Sequence, residues 1–326
     1  MTVILNAINK LTTLKTNFKP LLNMINHHDN IILLRHQRPD PDSLGAQLGM
    51  KEILQKIFPS KTIRAFGEDV PSLAENLGYM DPLETLTEPL VIVLDTANIE
   101  RIDGEISNAK TIVKIDHHPN HEPFGDINIV ETSVSSTCEL VYLLSHCWGY
   151  HNDYINDESA KLLYMGIVGD TGRFLYDNTS ELTLRVASEL KKFDFDATAV
   201  MGELSKTSVN QFRFTGYLIN NFKLNEYGLL YVVVTKEVLE AHNISSDEAS
   251  LLINIFRDLE DVKVWFLAIE DDGFYRVRLR SKAVVINDVA DYFGGGGHPL
   301  ASGVRARGME RIDSIVEALN KKLMNN

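Results

Sequence analysis

Three short apolar runs constrain this chain more than any other feature: Ile31-Ile-Leu-Leu-Arg35, Val91-Ile-Val-Leu-Asp95 and Thr111-Ile-Val-Lys-Ile-Asp116. A short run that is apolar throughout, rather than at alternate residues, marks a strand buried on both faces, as in a parallel sheet. Each run ends at or beside a residue that carries charge or binds metal: His36, Asp95 and Asp116. In open parallel sheets the carboxyl ends of the strands share one edge, and sites form beyond it. Topology alone therefore predicts that these three ends converge.

The first half alternates strands and helices, which makes it α/β with a mostly parallel sheet flanked by helices. After a Pro-Asp loop, helical sequence runs from about Ser43 to Phe58. A second helical stretch, Ala160 to Val168, leads into Gly169-Asp170-Thr171-Gly172. Helical periodicity dominates residues 181–221, with a helical linker expected over 192–213. The second half changes character. Residues 229–235 and 262–269 read as strands, and Asp271-Asp-Gly273 predicts a hairpin turn into Phe274–Lys282. A glycine-rich loop, a short strand and a helix over about 310–323 follow. The expected organisation is a first domain over 1–191, the linker, and a smaller α/β domain over 214–326 with the active site in the cleft between them.

Composition excludes several classes. The apolar share of 44% is that of a globular protein with a full core. No apolar run reaches the roughly 18 residues of a membrane span. The N-terminus is mildly amphipathic (Leu5, Ile8, Leu11, Leu14, Phe18) but lacks the apolar core and cleavage site of a signal peptide. Two cysteines, Cys138 and Cys147, make no disulfide framework, and cytoplasmic residence fits. A formal charge of −13 argues against broad attraction to duplex nucleic acid, though not against a short phosphorylated ligand.

Four clusters carry the chemistry: His36-x-x-x-Asp40-x-Asp42, Asp95, Asp116-His117-His118 and Asp170. They supply five carboxylates and three imidazoles. Burying so many carboxylates together is costly unless cations neutralise them. Two divalent metals are the economical solution, and two metals imply hydrolysis of a phosphate ester. A set mixing imidazole and carboxylate points to manganese. Each cluster alone has an ordinary alternative. The first is equally a polar strand-to-helix loop with Asp42 or Ser43 as helix cap. Asp95 alone is a turn residue, and the histidine pair alone a surface loop. Adjacent residues in extended chain point opposite ways, so His117 and His118 are expected to do different jobs, one toward metal and one toward substrate. His121 reads slightly better as an exposed loop histidine than as a cleft residue. Arg173 reads either as a phosphate contact or as an ion-pair partner for one of the acids.

In the second half, Arg276, Arg278, Arg280 and Lys282 fall at strict period two, on one strand face. That is either a phosphate-binding wall, the reading favoured for Arg280 and Lys282, or a solvated sheet face. Gly294-Gly-Gly-Gly-His298 loses much chain entropy on ordering, and amide groups cradling an anion would repay it.

Taken in order, the four clusters resemble the motifs of the DHH phosphoesterase superfamily. Arg280-Ser-Lys282 with the glycine run and His298-Pro-Leu-Ala-Ser-Gly303 resembles its DHHA1 C-terminal domain. The resemblance covers nearly the whole chain. It implies two Mn²⁺ ions, the first on His36, Asp40 and Asp95, the second on Asp42, Asp95, His117 and Asp170. It implies that Asp116 orients a histidine and that His118 contacts the scissile phosphate. Arg280, Lys282, Gly295, Gly296, Gly297 and His298 would hold the rest of the substrate. The glycine run is one longer than the family's usual three.

The activity so implied is hydrolysis of short single-stranded oligoribonucleotides to 5′-mononucleotides, and of 3′-phosphoadenosine-5′-phosphate (pAp) to AMP and phosphate. Hydrolysis of linear pApA is the nearest alternative. A non-catalytic nucleotide-binding regulator is a third reading, disfavoured because every ligand position is filled.

Overall fold

The computed structural model describes residue 4 and residues 12–69, 78–148 and 152–325. Leu5, Ile8 and Leu11 of the amphipathic N-terminus lie outside them. The chain divides into two compact units, residues 1–205 and 206–326. The division falls inside the segment expected to be a linker.

The first unit holds α1 (Thr12–His27), β1 (Asn30–Leu34), α2 (Pro41–Ile57), β2 (Thr62–Ala65), β3 (Leu90–Leu94), β4 (Thr111–Asp116), β5 (Ile127–Val130), α3 (Thr137–Cys147), α4 (Asp157–Asp170), α5 (Glu181–Leu190) and α6 (Ala197–Glu203). The five strands form one sheet in the order β2-β1-β3-β4-β5. Every pairing is parallel. Two-sided burial explains the apolar runs. Ile31, Leu33, Leu90, Ile92 and Leu94 join the core under the helices, whereas Ile32, Leu34, Val91 and Val93 join a smaller cluster with Phe66 and Ile102 on the other face. The chain leaves β1 toward β2 on one side and resumes at β3 on the other. That reversal opens a crevice at the β1 and β3 tips, where ligands of such sheets bind. The edge strands β2 and β5 were not foreseen; they are short, and two of four residues in β2 and three of four in β5 are only half-buried.

In the second unit are α7 (Val209–Asn221), β6 (Lys223–Leu224), β7 (Leu229–Val234), α8 (Lys236–His242), α9 (Ser246–Leu251), β8 (Val264–Asp271), β9 (Phe274–Ser281), α10 (Asn287–Tyr292), β10 (Gly296–His298), β11 (Ala301–Ala306) and α11 (Met309–Met324). Its sheet runs β10-β11-β9-β8-β7-β6, with only β7–β8 parallel. The β8–β9 turn has positive φ at Asp272 (40°) and Gly273 (83°), as a tight two-residue hairpin demands. Along β8, Val264, Phe266 and Ala268 enter one core, and Trp265, Leu267 and Ile269 enter the other.

Among the described residues, no helix is long and apolar enough to cross a membrane. Cys138 and Cys147 are free thiols.

Candidate metal centre

The first cluster is shaped by the start of α2. Asp40 is the helix cap: its Oδ1 accepts the Ser43 amide at 2.9 Å, and Ser43 Oγ returns a bond from the Asp40 amide at 3.0 Å. The ordinary alternative for this loop put the cap at Asp42 or Ser43. It falls earlier because Pro41, with its fixed φ and no N–H, suits the first helical position. Asp42 therefore sits in the first helical turn, and helical curvature rather than a bent loop aims both carboxylates at one place.

Beyond β1, His36 is 5% exposed. Its Nδ1 contacts the Gln37 carbonyl at 2.8 Å, leaving Nε2 toward Asp95 Oδ2 (3.5 Å) and Asp40 Oδ2 (3.7 Å). Beyond β3, Asp95 adopts φ +50°, a left-handed conformation that turns its carboxylate over the sheet edge. Beyond β4, His117 Nε2 lies 3.1 Å from Asp170 Oδ2, 3.6 Å from Asp95 Oδ1 and 4.0 Å from Asp42 Oδ2. Asp170 is the last residue of α4.

Three overlapping triads form, His36–Asp40–Asp95, Asp95–His117–His118 and Asp42–His117–Asp170, each with ligand atoms within 4.8 Å of one another. Asp95 joins them through its contact with His117. His118 also turns toward the cluster: its Nδ1 is 2.8 Å from Asp116 Oδ1 and 3.5 Å from Asp95 Oδ1. The two rings pack edge-on, 4.4 Å apart, instead of pointing oppositely, because the chain bends after β4. Both approach Asp95 Oδ1, but their nearest partners differ: Asp170 for His117 and Asp116 for His118.

The donor set fits divalent cations. His117 Nε2 is buried without a hydrogen-bond partner, although three carboxylates surround it. Burial makes imidazolium costly, yet the carboxylates outweigh it: His36 is pushed up to about 10 by Asp40 and Asp95, and His117 well above its ordinary value, chiefly by Asp170. Burial, then the charges of Asp95 and Asp170, push the Asp42 carboxyl well up. Without metal, protons do the work of cations here.

That gives a pH prediction with a definite sign. In the metal-free protein, His36 is raised from 6.5 to about 10. Its contribution to stability is complete below pH 6.5 and is lost as pH rises through about 10. Metal ligation requires neutral imidazole. Apparent metal affinity is therefore expected to rise from pH 6 to 9, with protons released into weak buffer. Calorimetry in buffers of different ionisation enthalpy checks this, and pH-independent affinity contradicts it.

Reading the sequence missed the part played by α3. Its first turn faces the cluster: the Thr137 and Cys138 amides donate to Asp42 Oδ2 (2.7 Å) and Oδ1 (2.9 Å), and Thr137 Oγ1 donates to Asp95 Oδ1 (3.0 Å). Unpaired amides and the helix dipole favour a carboxylate there. Ser136, which accepts the Glu139 amide, is a legible cap signal. It announces a helix start but not what that start faces. The site also depends on Gly166, where an added Cβ would lie 2.2 Å from Cys138 Sγ and 2.9 Å from Asp42 Oδ1.

His121 is exposed. Arg173, also exposed, donates to Ser205 Oγ at 2.8 Å. In the second unit the period-two reading of β9 holds. Val277 and Leu279 are buried on one face, with the arginines on the other. Arg276 pairs with Asp247 (2.7 Å) and Asp271 (3.2 Å). Lys282 is exposed and donates to the Leu259 carbonyl at 2.5 Å. Strand register sets His298 beside Ala301 and Ala301 beside Arg280, so His298 and Arg280 share a face across a small residue. Gly296, Gly303 and Arg278 form the next row.

Much of the glycine run has local work. The Gly294 and Gly295 amides bond the Asp291 (2.9 Å) and Ala290 (2.8 Å) carbonyls at the end of α10, while Gly296 and Gly297 pair with β11. A Cβ on Gly295 would meet the Gly303 carbonyl at 2.0 Å.

Residues 30–167 match the DHH family, N-terminal domain, and residues 227–325 match the DHHA1 domain. The bifunctional oligoribonuclease and PAP phosphatase NrnA of Bacillus subtilis (strain 168) is 43% identical over 303 residues, covering 92% of this chain and 96% of that protein. The probable bifunctional oligoribonuclease and PAP phosphatase NrnA of Streptococcus mutans is 39% identical over 313 residues, covering 94% and 99%. Among solved structures, an exopolyphosphatase-related protein from Bacteroides fragilis has a TM-score of 0.83 at 23% identity, covering 95% of this chain and 98% of that one, a likeness of fold. The sequence motifs, the parallel sheet and the triads at its edge agree with these matches: the chain belongs to the DHH family, with a DHHA1 domain following the DHH domain.

Proposed function

We propose that this chain is a manganese-dependent phosphoesterase that hydrolyses short oligoribonucleotides to 5′-mononucleotides and pAp to AMP and phosphate. The observation that carries this reading is the set of overlapping triads around Asp95 and His117, in a chain 43% identical over 92% of its length to a bifunctional oligoribonuclease and PAP phosphatase. His36, Asp40 and Asp95 would hold one Mn²⁺, and Asp42, Asp95, His117 and Asp170 the other. When bound, such ions supply Lewis acidity and an activated water.

The chain's own groups do the rest. The first turn of α3 holds Asp42 and Asp95, so two ligand carboxylates are fixed before substrate arrives. Asp116 Oδ1 accepts a hydrogen bond from Nδ1–H of His118, which would leave Nε2 to meet the reacting phosphate. Arg280, Lys282, His298 and the glycine segment would grip the distal nucleotide or phosphate. Gly295, Gly296 and Gly297 would serve there by close backbone approach. His121 and Arg173 are the outlying candidates for substrate contact.

One assay tests this reading: phosphate release from pAp, and mononucleotide release from pApA and a five-nucleotide RNA, by purified protein with and without Mn²⁺. Manganese-dependent turnover of pAp and the RNA is expected; turnover of neither contradicts the reading. In the same assay Arg280→Ala is expected to raise KM by about tenfold with kcat little changed, the signature of lost binding common to ground and transition states. An unchanged KM would remove Arg280 from the substrate wall.

A further inference from the structure

A fully buried ammonium lies behind the carboxylates. Lys114 sits in the middle of β4 between Val113 and Ile115, and all three are 0% exposed. Taking an ammonium out of water costs several kcal/mol. A methionine would fill the same space without that cost.

The contacts of Lys114 say what the charge is for. Its Nζ donates to the Ala97 carbonyl (2.8 Å), Asn120 Oδ1 (3.2 Å) and the Glu122 carbonyl (3.3 Å), and lies 4.9 Å from the centre of the Phe124 ring. Ala97 follows Asp95 by two residues, and Asn120 follows His118 by two. One side chain thus ties down the loops leaving β3 and β4. Nζ also stands 3.5 Å from Asp116 Oδ2. That oxygen is buried without a hydrogen-bond partner, whereas Oδ1 accepts both the amide (3.1 Å) and Nδ1 (2.8 Å) of His118. Lys114 balances Asp116 at its back, and His118 bonds it at the front. Among the described residues, no hydrogen bond or ion pair joins Lys114 to any of the six proposed metal ligands.

We propose that Lys114 is a positioning residue for His118: by pairing with Asp116 and fixing the loops after Asp95 and His118, it presents the His118 ring to the substrate phosphate in one orientation. This rests on the reading of His118 as the phosphate contact. Lys114→Met keeps the length and removes the charge. At saturating Mn²⁺, its kcat is expected to fall by about tenfold to a hundredfold, with KM and metal affinity within about twofold of the wild type.

The same substitution in a His118→Ala background is expected to change kcat by less than about twofold, because its effect runs through that ring. Wild-type kcat in Lys114→Met, or its full cost retained without His118, overturns the proposal. Metal affinity falling in step with turnover overturns it too. Should Lys114→Met fail to fold, Lys114→Gln, which keeps a donor, enters the same cycle with the same expectations. An inactive wild type sinks the functional reading and this inference together. An active wild type with additive costs sinks this inference alone.

Discussion

Asp95→Asn is expected to lower kcat by roughly 10³-fold or more at saturating Mn²⁺, equivalent to about 4 kcal/mol of barrier. Asp95 is the residue common to both halves of the centre, 3.5 Å from His36 and 3.6 Å from His117. Asparagine is the informative replacement. At φ +50°, alanine would add backbone strain, whereas asparagine tolerates the left-handed region. Its Oδ1 can still accept the Thr137 hydroxyl, so the change removes charge and spares shape. A second readout follows from mass action. A cation at a hundredfold excess over its Kd stabilises the native wild type by about 2.7 kcal/mol, and most of that rise in Tm is expected to vanish in the variant. Retained turnover would refute the role given to Asp95.

Gly166→Ala is expected to damage the centre from behind. The added Cβ would fall 2.2 Å from Cys138 Sγ and 2.9 Å from Asp42 Oδ1, both in the packed crossing of α2, α3 and α4. Overpacking of this kind costs about 1–3 kcal/mol. Because the strain falls on Asp42, metal affinity is expected to drop by roughly 10- to 100-fold, with turnover partly restored by excess Mn²⁺. Adding Cys138→Ala removes the shorter clash and is expected to recover stability more than affinity. Unchanged metal affinity in Gly166→Ala would show that Asp42 is not held by this packing.

The parallel sheet was legible because burial on both faces leaves a plain trace: Leu90–Leu94 is buried at every residue. The meeting of the candidate ligands was legible for a related reason. Strand ends of a parallel sheet share an edge, so residues distant in sequence meet by topology. Local chemistry was harder to read. The cap of α2 fell at Asp40 because proline chose the first helical position, a competition among neighbours that spacing does not reveal. The glycine run looked like an anion cradle, yet Gly294 and Gly295 spend their amides ending α10. The period-two arginines did lie on one face, but Arg276 is held by Asp247 from α9, and a strand's own sequence does not show which helix will cover it. Lys114 and the α3 amides went unread for that reason too. Some of their partners are far off in sequence: Ala97 is 17 residues from Lys114, and Asp42 is 95 from Thr137.

The most direct test is to load the protein with Mn²⁺ and locate the ions by anomalous diffraction at the manganese edge. Two peaks are predicted, one on either side of the Asp95 carboxylate, the first beside His36 and the second beside His117. A single peak, or manganese bound away from Asp95, would contradict the account.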